Sequence, residues 1–201
     1  MTSKLIVNSV RHTGASADGI TMAADGSVTF PGNATCSGTA TGFGGITMVD
    51  NWYVNSSLSV PTGETTITAN WERGTSDQFG RIGSAMTQSS GVFTFPSTGI
   101  YYCSINGSFY RGSGYRRYLG FTIQTTTDDS SYSNATSNYD SVSGDTTDNT
   151  YAQVTSTIVF DVTNTSTHKV RFQTEAVDSG NAVTDVAGRY FNVLFMRLGD
   201  T

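Results

Sequence analysis

The segment from Ser90 to Tyr102, Ser-Gly-Val-Phe-Thr-Phe-Pro-Ser-Thr-Gly-Ile-Tyr-Tyr, constrains the fold more than any other part of the chain. Phe93 and Phe95 alternate with polar Thr94, the period of a half-buried strand. Pro96 to Gly99 breaks that run, and Ile100, Tyr101 and Tyr102 begin a second β-rich stretch. Proline fixes one turn dihedral and glycine permits a positive one, so this order specifies a corner between two strands.

The rest of the composition agrees with strands. Charged residues are only 13% and hydrophobic residues 36%, a profile that by itself would also suit a disordered chain. Aromatic residues at 11%, spread through alternating runs, argue for a collapsed core instead. Abundant threonine is β-branched and suits a pleated surface. All-β is the expected class. Closely spaced strands are expected at 46–49, 52–54, 58–60, 66–71, 91–95, 100–110, 117–126, 151–162, 168–176 and 190–198, with turn residues between them. That number without a helical period suits a two-sheet antiparallel jelly roll.

Residues 1–45 read differently from 46–201. Leu5-Ile6-Val7 opens a short strand, and Ile20 to Met22 and Val28 to Phe30 flank an Asp25-Gly26 hairpin signal. Residues 38–45 form a small-residue connector. So small a hairpin buries little alone. It gains stability if several copies wrap one axis and bury Ile20, Met22, Val28 and Phe30 together; the simpler alternative is a flexible leader with an incidental hairpin.

The 90–102 text resembles the G-x-F-x-x-P-x-x-G-x-Y-x-F pattern of the trimeric jelly-roll superfamily that includes tumour necrosis factor and the globular heads of complement recognition proteins. Cys103 departs from it where an aromatic is usual. In that family the pattern marks a central strand pair. Residues 155–162, 168–172 and 190–198 follow in the same order as in the complement-like heads. The 1–45 segment looks like short N-terminal modules of bacteriophage fibre proteins. Together these resemblances imply a homotrimeric virion protein at the virion surface, made in a host cytoplasm. Residues 1–45 would attach to other virion proteins, and a 46–201 knob would bind a host glycan or protein. A capsid decoration or head-fibre protein, and a cellular trimeric ligand of the tumour necrosis or complement type, are the alternatives.

Several function classes are excluded. The net charge of −5 and a pI near 4.8 argue against nucleic acid and anionic membrane surfaces. No run approaches the roughly 18 apolar residues of a spanning helix, and the N-terminus lacks a signal h-region. No catalytic set is visible, so the chain is not expected to be an enzyme. No cofactor is expected either. The Asp-rich 125–149 stretch offers oxygens to calcium but lacks the D-x-D-x-D-G spacing, and a solvated loop is the simpler reading. Cys103 shares a strand face with Tyr101 and Ile105 and reads as a buried thiol, with a disulfide to Cys36 as the alternative.

Receptor contacts are expected from Tyr115, Arg116, Asp128, Asp129, Tyr132, Tyr139 and Asp140, on long polar loops. Guanidinium and aromatic groups stack on sugars or anchor protein interfaces; charge compensation and strand packing are the simpler reading of the 110–118 cluster. A second loop, 177–188, carries Asp178 and Asp185. Tyr102, Phe109, Phe121, Tyr190 and Phe195 are candidates for trimer interface or core, and alternation does not separate the two.

Overall fold

The computed structural model describes residues 7–31, 45–74, 80–111, 115–143, 147–177, 182–184 and 190–201. The chain divides into two compact units, Met1–Phe43 and Gly44–Thr201. No helix occurs among the described residues.

In the first unit, β1 (Ser9–Val10), β2 (Ile20–Met22) and β3 (Val28–Thr29) form an antiparallel meander. The Asp25 carboxylate accepts the Ser27 amide at 2.9 Å and closes the β2–β3 turn. No described residue of this unit is buried: Ile20 and Met22 are half-buried, and Val28 and Phe30 are exposed. The expected strand at 5–7 lies largely outside the described residues, as do Cys36 and most of the connector.

The second unit is a sandwich of two antiparallel sheets. The first sheet orders β13 (Thr150–Val162), β10 (Gly99–Arg111), β16 (Phe191–Gly199), β4 (Met48–Val54) and β7 (Trp71–Arg73). Beside the far end of β10 lie β15 (Ala182–Thr184) and then β5 (Ser59–Val60). The second sheet orders β12 (Ser133–Val142), β11 (Arg116–Thr126) and β14 (Lys169–Ala176). The start of β14 pairs with β9 (Val92–Thr94), which pairs with β8 (Thr87–Ser89), and its end pairs with β6 (Gly63–Thr66).

The 90–102 segment builds this sandwich, with one correction. Its two strands are not a pair: β9 lies in the second sheet and β10 in the first, so the Pro96–Gly99 corner carries the chain across the core. The β8–β9 turn has positive φ at both Ser90 (48°) and Gly91 (81°), the conformation of a tight hairpin turn. A Cβ at Gly91 would stand 2.0 Å from the Ile67 carbonyl oxygen, so only glycine fits. Phe93 then enters the core against Trp52, Trp71, Phe172 and Phe195, with ring centroids 5.0–5.6 Å apart.

Three further expectations change. Segments 46–49 and 52–54 belong to one strand, β4. Segment 66–71 is not a strand: β6 stops at Thr66 and β7 starts at Trp71, with Asn70 left-handed at φ 64°. The polar 125–149 stretch contains β12, an edge strand whose side chains are exposed except for Val142 and two half-buried residues.

One polar group is built into the core. Asp50 is fully buried on β4 and accepts from Trp52 Nε1 (3.0 Å), the Met86 amide (2.8 Å) and Arg73 Nε (3.2 Å). The Arg73 guanidinium also lies 4.5 Å from the Trp52 ring centroid and donates to the Met86 carbonyl. Cys103 is a free, buried thiol whose pKa burial pushes up.

Candidate assembly and recognition faces

Strand alternation turns half of each sheet outward, and the two outer faces differ in chemistry. On the first sheet, register aligns Val159, Tyr102, Met196 and Val49 across four strands, and a bridge from Val49 adds Ile82. Val159 is 63% exposed and Ile82 48%. Exposed Leu198 and Ile46 continue this apolar band into a groove of about 580 Å³ at the same end of the sheet. Farther along β10, the Tyr110 and Tyr151 rings pack at a tilt, with centroids 5.9 Å apart. Between the two apolar ends lie small polar residues such as Ser104 and Asn106, the latter accepting from Thr155 at 2.8 Å. An exposed apolar band of this extent, beside a hydrogen-bonded polar stretch, is chemistry suited to contact with another protein surface.

The structure sorts the interface-or-core residues. Phe109, Phe121 and Phe195 are fully buried, Tyr102 is on the outer face, and Tyr190 is exposed just before β16. The packing inside the sandwich takes the phenylalanines: Phe109 and Phe121 rings are 4.5 Å apart.

The outer face of the second sheet is polar. Tyr139, Ser137 and Asn134 on β12 register with Gly120, Thr122 and Gln124 on β11, and these with Glu175, Gln173 and Arg171 on β14. Thr122 and Ser137 hydroxyls bond at 2.8 Å. Arg171 Nε donates to Gln124 Oε1 at 2.6 Å, and its guanidinium lies 4.0 Å from the Tyr132 ring centroid.

The expected receptor residues do not form one patch. Tyr132 and Tyr139 join this outer face, with Asp128 and Asp129 in the turn that leads to β12. Asp140 is registered opposite inward-facing Leu119 and lies on the other side of the strand. Tyr115 is exposed ahead of β11. Arg116 is fully buried and presents nothing to a receptor. The cause is a bulge between Arg116 and Leu119, which seats Arg116 opposite inward-facing Val142. Asp178 and Asp185 lie outside the described residues. Among the described residues no three His, Cys, Asp or Glu side chains converge as a metal site would need. The residues that sequence reasoning missed are Glu175, Gln173 and Gln124, each on the outward parity of its strand.

Asp128 is held well below the usual carboxylate range by the Ser131 and Ser130 amides (2.7 and 2.9 Å) and the Thr126 hydroxyl (2.7 Å). A folded pKa below the unfolded one stabilises the turn above the ordinary value, about 4, and that support is lost as pH falls through the folded pKa. The Ser130 and Ser131 amide NMR shifts should therefore stay fixed from neutral pH to about pH 4 and move only in stronger acid. A transition centred at the ordinary carboxylate value would contradict this.

No protein-family model and no curated protein sequence matches the chain. Solved structures do match. Eiger TNF from S. frugiperda shares 10% identity over 78% of this chain and 95% of its own, with a TM-score of 0.58. Murine APRIL, crystallised at pH 5.0, shares 15% identity over 75% of this chain and 98% of its own, with a TM-score of 0.55. With this sheet order, the likeness establishes the fold: residues 44–201 form a jelly roll of the tumour necrosis factor type.

Proposed function

We propose that the chain is a non-catalytic recognition protein that works as a homotrimer, self-associating through the outer face of its first sheet. The observation that carries this reading is the outward apolar row Val159–Tyr102–Met196–Val49–Ile82, exposed at its two ends and half-buried between them. Closed threefold symmetry would bury the same patches on every copy, and three copies would multiply a weak contact into useful avidity.

Two settings suit such a knob. The likeness to Eiger TNF favours a trimeric ligand that engages a cellular receptor. The phage-fibre resemblance of residues 1–45 favours a virion surface protein, with that segment attached to other virion proteins and the knob turned toward the host cell. The unburied Ile20, Met22, Val28 and Phe30 fit a segment that packs against copies of itself or against a capsid, as a decoration protein would. Immunogold labelling of virions with antibody to residues 46–201 separates the settings: label on tail or head supports the virion role, and its absence leaves the ligand role.

The assembly itself is tested by Val159→Asp. At 63% exposure this residue contributes little to the folded chain. In an apolar interface the new carboxylate is unpaired, at a cost of several kcal/mol. Sedimentation velocity should show association weakened, with dissociation at roughly a hundredfold higher protein concentration or more, and the midpoint of the monomer fold unchanged. Equal masses for parent and variant would remove this face from the assembly.

A further inference from the structure

We infer that the outer face of the second sheet is a binding site for a neutral glycan, with a pyranose ring stacked on Tyr139. This rests on the reading of the knob as a recognition protein, and not on its trimeric state.

The geometry begins at Gly120. A Cβ there would stand 2.7 Å from Tyr139 Cδ1 and 2.0 Å from the Asn138 carbonyl oxygen, so glycine alone lets the Tyr139 ring lie down across the neighbouring strand. The residue remains 44% exposed. Its hydroxyl donates to Glu175 Oε2, and Tyr118 meets it edge-on at 5.1 Å and 66°. Burial and that Glu175 hydrogen bond raise the Tyr139 pKa, which keeps the phenol protonated as a donor. The ring is thus fixed before any ligand arrives, which lowers the ordering cost of binding.

Beside the ring lies a floor of hydroxyl and amide groups. Gln173 is 6% exposed; its Nε2 donates to Thr66 Oγ1 at 3.2 Å, while its Oε1 accepts no hydrogen bond from a described residue. An aromatic face flanked by a carboxylate, with amide and hydroxyl groups in the neighbouring rows of the sheet, matches a sugar ring, which has C–H faces and hydroxyls that both donate and accept.

Other ligand classes fit less well. A protein partner could anchor on Tyr132, Tyr139 and Arg171, but it would find little apolar surface around them: among the described residues of this unit the large exposed aliphatic side chains, Ile46, Ile82, Val159 and Leu198, all belong to the first sheet's side. Anionic polymers meet Glu64 and Glu175 on a chain of net charge −5.

The test is full-length protein on a printed array of neutral and acidic glycans, with sedimentation run on the same samples. Binding to neutral hexopyranose glycans is expected. Tyr139→Ala should weaken it at least tenfold, Glu175→Gln several-fold, and Tyr139→Phe less than Tyr139→Ala, all with parental mass and melting midpoint. Because Tyr139→Ala uncovers Gly120, Glu175→Gln serves as the variant that keeps the shape of the face. Signal on acidic glycans alone, no signal on any glycan, or undiminished binding by Tyr139→Ala would overturn the inference. A parent that binds neutral glycans as a monomer would instead overturn the trimer and leave this site standing.

Discussion

Replacing Asp50 by alanine should lower the stability of the sandwich by about 3–5 kcal/mol, the cost of breaking a buried charge pair from one side. Asp50 is fully buried and its Arg73 partner 26% exposed, so solvent cannot compensate what is removed. Three donors lose their acceptor at once: the Trp52 indole, the Met86 amide and Arg73 Nε. Asp50→Asn keeps the shape and one oxygen and should lose less. In a double-mutant cycle Arg73→Ala should add little to Asp50→Ala, because the guanidinium's buried partner is already gone. Calorimetry at fixed protomer concentration reads all three. A loss under 1 kcal/mol for Asp50→Ala would mean that the pair is an incidental contact.

Phe93→Ala should cost about the same, roughly 3–5 kcal/mol, through cavity formation in place of charge. Phe93 and Phe172 come from the second sheet, and Trp52, Trp71 and Phe195 from the first, so one ring joins the two layers. Removing it leaves both tryptophans without an edge-to-face partner at this point. Near-ultraviolet circular dichroism should lose intensity while the far-ultraviolet β signal persists below the lowered midpoint. Phe93→Leu retains most of the volume and should cost under about 1.5 kcal/mol. If alanine and leucine were equally mild, Phe93 would not be the link between the sheets.

Much of this fold was legible because the long strands alternate cleanly. Tyr101, Cys103, Ile105 and Phe109 are all inward on β10, as are Phe191, Val193 and Phe195 on β16. The corner at Pro96–Gly99 was legible for the same reason, since its turn residues interrupt two clear alternations. Its sheet assignment was not, because turn chemistry marks a reversal without saying which neighbour each strand pairs with. β12 was hidden by its composition. As an edge strand exposed on most of its length, it needs no apolar period, and Ser, Thr and Asn serve as well there as in a loop. Asp50 was readable in principle: in Met48-Val-Asp-Asn-Trp-Tyr-Val54 it sits on the inward parity with Met48, Trp52 and Val54. Arg116 was not, since the bulge that turns it inward has no sequence signature in Arg116-Arg-Tyr-Leu119.

The candidate faces followed a similar pattern. Tyr132 and Tyr139 stood out as aromatics in a polar stretch, and both reach the outer face of the second sheet. Their partners did not stand out, because Glu175 and Arg171 lie far downstream of Tyr139 and Tyr132 and meet them only through the β11–β12 and β11–β14 registers. The division of labour between an apolar outer face and a polar one is likewise a property of register: Tyr102, Val159 and Met196 are scattered in sequence and become a row only when three strands align.

Native mass spectrometry of the full-length chain at micromolar concentration tests the central claim most directly. The expected result is a single dominant species at three times the 21.4 kDa chain mass, dissociated by Val159→Asp. A monomer or dimer as the dominant species would contradict it.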